Sequence, residues 1–397
     1  MIYLDNSATS PIDEEVLDAM LPYLKEEYGN PSSKYYFKAI NAKNAVEEAR
    51  KQVAQLLGAK PEEIIFTAGS TESTNFILKG YLDYRKHYVD GKNHIITSLV
   101  EHKATLNTCK YLNGEIYSNN DPTTSLSGIE RKVDRGYSAS FIPVSDNGEV
   151  LVDAVKDAIQ ADTAMASIIH VNNEVGTIND IQAIAKMCHE HDIALHSDIT
   201  QSLGKIPIDV KKMGMDYASC SAHKLYGPKG VGAAYLLADD YGILPITALM
   251  HGGEQEFGFR AGTLAVHNIV GFGKAAEIAQ RDFIATQNSV SELDRYLVKN
   301  LAKLDGVRLT NPSKNRIPGL ISIIVDAPYF HNERFIKKIS DELALSTGSA
   351  CSAGEPSYVI QAMGLEAVVS KVLRITINKH TTKEEIDFLI KTIKENI

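Results

Sequence analysis

Cysteine is scarce: four residues in 397, Cys109, Cys188, Cys220 and Cys351, scattered without paired spacing. That pattern excludes a disulfide framework and suits reduced thiols, so a cytoplasmic setting is expected. No apolar run approaches the roughly 20 residues that span a bilayer, which speaks against a membrane helix. The start, MIYLDNSATSP, has an acid at Asp5 and a proline at Pro11 and so lacks the form of a secretory signal. Nor is there an excess of positive charge. With 41 Lys and Arg against 50 Asp and Glu, the formal charge is -9, and no basic field gathers nucleic acid or anionic lipid. What remains is ordinary enzyme-sized globular composition, 44% hydrophobic and 23% charged, long enough for two or three domains.

Apolar positions at helical spacing from Ala45 to Leu57, stopped by Gly58, predict an amphipathic helix. Short apolar runs then alternate with helical patterns: Ile64 to Phe66, Ile95 and Ile96, Met165 to Val171, Ile193 to Leu195, Tyr217 to Cys220, and Val231 to Leu237. The alternation predicts an α/β fold with a mostly parallel sheet. Each run is followed by polar, reactive residues: TAGSTES, TSLVEHK, NNEVG, HSDITQ and SAHKLYGPKG. Ligands bind at the C-terminal edge of such sheets, so these segments are expected to converge. Solvated loops are the alternative. A helical stretch from Ile269 to Leu304 and a last helix with a capping-box start, Thr382 to Glu385, belong to a different pattern. We therefore expect a large domain over 13–265 and a smaller α+β domain made of 1–12 and 266–397. The polar, breaker-rich segment 113–137 is expected to be a surface loop.

Gly69, Ser70 and Thr71 fall between a strand and a helix, a phosphate seat or a plain helix cap. Lys224, after a strand, is either a Schiff-base lysine or surface charge. Asp198 suits a pyridinium nitrogen or a helix N-cap, and His102 suits ring stacking and proton transfer or a loop hydrogen bond. Cys351 lies among tiny residues in GSACSAG, where a nucleophilic thiol could move, whereas the other three cysteines fit burial as small hydrophobes. Cys188, His189 and His191 crowd one helix but do not share a face, so no metal site is expected.

The motifs SAHKLYGPKG, HSDITQSLGKIPID, HVNNEVG, FTAGSTEST, EHKATLNTC, MHGGEQE with FRAGT, and STGSACS occur in order from YLDNSAT to TTKEEIDFLI. Together they resemble the pyridoxal-phosphate-dependent cysteine desulfurases of the NifS-like, iron–sulfur cluster assembly type, within the class V aminotransferases. The resemblance implies the fold type I architecture, a homodimer, L-cysteine as substrate, a persulfide on the enzyme and a sulfur-acceptor protein. Lys224 matches the lysine that carries pyridoxal phosphate. Ser70, Thr71, Ser221 and His223 match residues around its phosphate, and Thr263 matches a threonine reaching it from the partner subunit. Asp198 matches the acid at the pyridine nitrogen, Gln201 the group beside the ring hydroxyl and His102 the stacking histidine. Asn173 matches an asparagine near substrate and ring, Arg374 the arginine that takes the substrate carboxylate, and Cys351 the persulfide-forming cysteine. The activity implied is conversion of L-cysteine to alanine with sulfur passed on for clusters, thio-cofactors or tRNA. A selenocysteine lyase or another C–S lyase that does not use Cys351 is the alternative, and a non-catalytic scaffold a third. The chain departs from the pattern in a short loop after Cys351, in the insertion-like 113–137 segment, in Phe257 where an arginine is usual, and in INKH after Arg374.

Overall fold

The computed structural model describes residues 1–115, 133–348 and 356–397. Cys351 and most of segment 113–137 lie outside the described residues. Strand β1 (Ile2–Tyr3) opens the chain. Then β2 (Ile64–Thr67), β3 (His94–Ser98), β4 (Ser138–Ile142), β5 (Thr163–Ser167), β6 (Ala194–Asp198), β7 (Tyr217–Ser221) and β8 (Gly232–Leu236) make one seven-stranded sheet. Its order is β2-β8-β7-β6-β5-β3-β4. Only β8 runs against the others, being antiparallel to both β2 and β7. Strands β2, β3, β5, β7 and β8 are buried along their whole length, as a sheet covered on both faces requires.

Two boundaries differ from the sequence reading for identifiable reasons. The expected strand Met165 to Val171 leaves the sheet after Ser167, because Val171 bridges Ile178 and folds the chain back on itself. Strand β4, SASFI, carries no apolar run; it sits at the sheet edge, paired with β3 alone.

The helix expected over 45–57 begins at Phe37, because Ala39 and Ala42 extend its buried face. It ends where Gly58, at φ 70°, donates its N–H to the carbonyls of Ala54 and Gln55. The helical stretch expected over 269–304 is two helices, Val266–Arg281 and Phe283–Leu301, broken at Asp282. The first of these packs Val266, Ile269, Phe272 and Ala276 into the core beneath the large sheet, with Val46, Val53, Phe66 and Tyr235.

A second core is separate. Strands β9 (Val307–Leu309), β10 (Leu320–Val325) and β12 (Val372–Thr376) form an antiparallel sheet ordered β12-β10-β9. Ile321, Ile323, Leu373 and Ile375 pack there against Leu297 and Leu389 of the flanking helices. Leu4 from the chain start joins them, since β1 pairs in parallel with β11 (Leu343–Ala344) and Asp5 bridges Thr376. The closing helix, Lys383–Lys394, starts with the Thr382–Glu385 capping box.

Candidate active site

A cleft of about 780 Å³ opens where the C-terminal ends of the central strands meet the second core; Ser70, His102, Asp198, Gln201, Lys224 and Arg374 are among the residues lining it. One end is built for an anion. Ser70 and Thr71 form the first turn of helix Ser70–Tyr84, whose leading N–H groups have no partner within the helix. Gly69 precedes them at φ 153°. Its loop lies against β8 so closely that a Cβ on Gly232 would come within 2.7 Å of the Gly69 Cα. Thr200 donates its hydroxyl to the Ser70 oxygen at 2.8 Å, so the hydroxyl of Ser70 stays available as a donor. Ser221, at the end of β7, and His223 complete the lining.

In the middle of the cleft Asp198 ends β6, buried, with Oδ1 accepting the Thr200 N–H at 2.9 Å. His102 caps helix Lys103–Leu112 through Nδ1, which accepts the Ala104 N–H at 3.2 Å. A neutral ring then carries its proton on Nε2. Burial first, then the Lys224 ammonium, hold His102 below the usual histidine range, with Asp198 opposing. His223, whose Nδ1 lies 3.2 Å from the Thr9 hydroxyl, is pushed down to about 4 by burial and by Lys224, Lys229 and Lys205. Lys224 sits in a single turn, Ala222–Lys224, directly after β7.

At the other end Arg374 projects from the central part of β12 and is 1% exposed. Its Nη2 pairs with Asp5 Oδ1 at 2.7 Å, and Nη1 donates to the Asn173 carbonyl at 2.9 Å and the Gly348 carbonyl at 2.6 Å. Among the described residues its Nε is buried without a hydrogen-bond partner, and so is Asn173 Oδ1. Beside them Glu174 accepts the Ser357 hydroxyl at 2.5 Å, and burial raises its carboxyl. Glu101, one residue before His102, is buried with Oε1 accepting from Ser98 Oγ and the Ile169 N–H; desolvation pushes it up to about 8. Both are protonated acids more readily than surface carboxylates.

Chemically the arrangement offers a seat for a doubly charged anion, a carboxylate for a protonated ring nitrogen, a lysine for a carbonyl, and an arginine with unfilled donor capacity for a carboxylate. Asp198, Gln201, Asn173 and Lys224, with Ser70, Thr71, Ser221, His223, His102 and Arg374, all line this one cleft. Two expected residues do not appear in it. Thr263 is exposed and lines nothing in its own chain's cleft, and Cys351 falls in 349–355, outside the described residues. The chain enters that segment at Gly348 and leaves it toward Ser357, both bonded to cleft residues. Thr263 follows a segment riveted from below: Glu256 accepts Arg50 Nη1 and Nη2 at 2.8 and 2.7 Å and the Phe66 N–H at 2.7 Å, while Phe257 covers the guanidinium.

Sequence reasoning assigned no role to Asp5, Ser7, Thr9, Thr200 or Glu174. YLDNSAT was a visible motif, but a two-residue strand gives no hint that its polar tail returns to the far end of the chain. Cys188 and Cys220 are buried, and their thiols are pushed up to about 12; Cys109 is raised further. His189 bonds Asp216 and His191 the Met187 carbonyl, and no metal-binding cluster of His, Cys, Asp and Glu occurs among the described residues.

Residues 2–389 match the family described as aminotransferase class-V. A cysteine desulfurase, IscS, of Aeromonas hydrophila subsp. hydrophila is 39% identical, the alignment covering 100% of this chain and 92% of that one. A solved NifS-like protein superposes with a TM-score of 0.85 at 34% identity, covering 100% of this chain and 98% of the other. The structure titled SspA in complex with cysteine gives 0.78 at 32%, covering 96% and 100%.

Proposed function

The chain belongs to the class-V aminotransferase family, and from that premise we propose that it is a cysteine desulfurase whose cleft holds pyridoxal phosphate and whose sulfur carrier is Cys351. The observation that carries this reading is the single cleft wall on which Lys224, Asp198 and His102 stand between an anion seat and the buried Arg374. The donor set fits the cofactor: phosphate on the Ser70 and Thr71 amides and hydroxyls with Ser221 and neutral His223, ring nitrogen on Asp198, ring hydroxyl beside Gln201, carbonyl carbon at Lys224. The orphaned Asn173 Oδ1 and Arg374 Nε are the places where a bound amino acid and its carboxylate complete the hydrogen bonding. In a homodimer, Thr263 of the partner subunit supplies a further phosphate contact.

Pyridoxal phosphate, when bound, supplies the electron sink that stabilises negative charge at the substrate α carbon. The protein does the rest. Asp198 holds a proton on the ring nitrogen, and Arg374 with Asn173 fixes the substrate carboxylate so that its α proton faces Lys224. The Lys224 amine would take that proton. The Cys351 thiolate attacks the substrate sulfur; the Cβ–Sγ bond breaks, an S–S bond forms on Cys351, and a proton delivered to Cβ together with the α proton returned from Lys224 completes alanine. His102, with its proton on Nε2 and a depressed basicity, is suited to pass protons at this point. L-Cysteine and the thiol thus become alanine and an enzyme persulfide, which a sulfur-acceptor protein then removes.

Incubation with L-cysteine, reading alanine and sulfide together for the parent and Cys351→Ser, tests this. Both products from the parent and neither from the variant are expected. Full turnover by the variant would make the chain a C–S or selenocysteine lyase instead.

A further inference from the structure

Behind the cleft lies a second cavity, of about 70 Å³, between the two cores, and Gln201 and Lys224 line both. Lys205 lines only this rear cavity. Its Nζ donates to Gln201 Oε1 at 3.3 Å, while Gln201 Nε2 donates to the Ser7 carbonyl at 3.0 Å. These two partners settle the amide orientation chemically. A lysine ammonium only donates and so selects the amide oxygen, whereas a carbonyl only accepts and so selects the amide nitrogen. One Nε2 hydrogen remains after the Ser7 bond, and Gln201 belongs to the cleft wall.

We propose that Lys205 is a positioning residue: from the rear cavity it locks the Gln201 amide so that a single N–H donor is presented to the oxygen of the ligand in the cleft. The inference rests on the cofactor reading above. Rotation of the amide would place Oε1 against the Ser7 carbonyl and the NH2 against Lys205, two repulsive contacts, so the lock is enforced from both ends. Burial, then the charges of Lys224 and Arg374, lower Lys205 to about 7. Once deprotonated, the Lys205 amine can also accept, and the Ser7 carbonyl alone then holds the amide.

The experiment is a double-mutant cycle on the holoprotein, using Lys205→Met, Gln201→Leu and the pair, with Lys205→Gln as the variant that keeps a donor but no charge. The readouts are the dissociation constant for pyridoxal phosphate by equilibrium dialysis and the midpoint pH of the bound chromophore's absorbance change. Gln201→Leu is expected to weaken retention about five- to tenfold, one hydrogen bond's worth, and to move the midpoint. Lys205→Met should reproduce part of both effects, since the Ser7 carbonyl still holds the other end, add little to Gln201→Leu, and be rescued by Lys205→Gln. Additive effects of the two single substitutions, or an effect of Lys205→Met that Lys205→Gln does not reverse, would overturn the positioning role. If Lys205→Met does not fold, Lys205→Gln alone decides, since unchanged readouts are required of it and a shifted midpoint refutes the lock. If Gln201→Leu itself leaves the chromophore unmoved, the placement of Gln201 in the cofactor site fails, a result distinct from failure of the lock.

Discussion

Replacing Arg50 by Met probes the ion pair beneath the Thr263 segment. The parent buries a bidentate Arg50–Glu256 contact in which the Glu256 side chain is 0% and that of Arg50 3% accessible. In Arg50→Met the carboxylate keeps only the Phe66 N–H. An uncompensated charge at such a site costs about 3–5 kcal/mol, which for a chain of this length lowers the melting temperature by about 4–6 °C at pH 8. The loss must depend on pH with a definite sign. Without its cation, Glu256 binds a proton more tightly folded than unfolded. Its penalty is therefore complete above the raised folded value and shrinks by about 1.4 kcal/mol per pH unit on acidification from there toward the unfolded value near 4.3. Adding Glu256→Gln removes the charge and should restore much of the stability at pH 8 and abolish the pH dependence. Thermal unfolding followed by circular dichroism or tyrosine fluorescence, the chain having no tryptophan, reads each variant from pH 6 to 8. A melting temperature for Arg50→Met within about 1 °C of the parent at pH 8, or a loss that Glu256→Gln leaves untouched, would refute the reasoning.

Gly232→Ala forces a methyl against the Cys220 carbonyl and the Gly69 backbone; the loop must yield, and pyridoxal phosphate should be retained at least about tenfold less well by equilibrium dialysis. Glu101→Gln keeps an oxygen for Ser98 and the Ile169 N–H. Because the folded carboxyl is raised to about 8 while the unfolded one ionises near 4.5, the parent loses stability as pH rises between those values. The variant's advantage in unfolding free energy should grow across that window by on the order of 1 kcal/mol per pH unit and be flat above it. His170 and His196 are both buried and lowered to about 4. Each resists protonation folded but accepts it unfolded below about 6.5, so acidification from 6.5 to 4 should cost stability, and urea midpoints for a His170→Gln variant should fall less steeply over that range. Asp5→Asn should raise KM for L-cysteine more than it lowers kcat, because it loosens the guanidinium of Arg374 without touching Lys224.

Much of the large sheet was legible because its strands are short apolar runs and its loops start with chemistry-bearing residues: the ends of β6 and β7 pointed to Asp198 and Lys224 before any coordinates. What stayed hidden has a physical pattern. β4, SASFI, is an edge strand whose Phe141 and Ile142 follow Ser-Ala-Ser, too short an apolar pair to mark it. The break at Asp282 interrupts a continuous helical periodicity and is visible only as a change of buried face, from the large core to the smaller one. The partners of Arg374 lie 369, 201 and 26 residues away, at Asp5, Asn173 and Gly348, and no local periodicity encodes contacts across such distances. Thr263 was named only through resemblance, and within its own chain it contacts none of the cleft.

The pairing of β1 with β11, and of Asp5 with Thr376 and Arg374, also sets a timetable for biosynthesis. Residues 2–5 are synthesised more than 300 residues before their partners Leu343, Ala344, Arg374 and Thr376. At about 5–20 residues per second, the N-terminal strand waits on the order of tens of seconds, while the large sheet has all seven of its strands by Leu236. The Arg374 end of the cleft is thus assembled after the strands of the large sheet. A nascent chain arrested before β12 would present Ser70, Thr71 and Lys224 without Arg374.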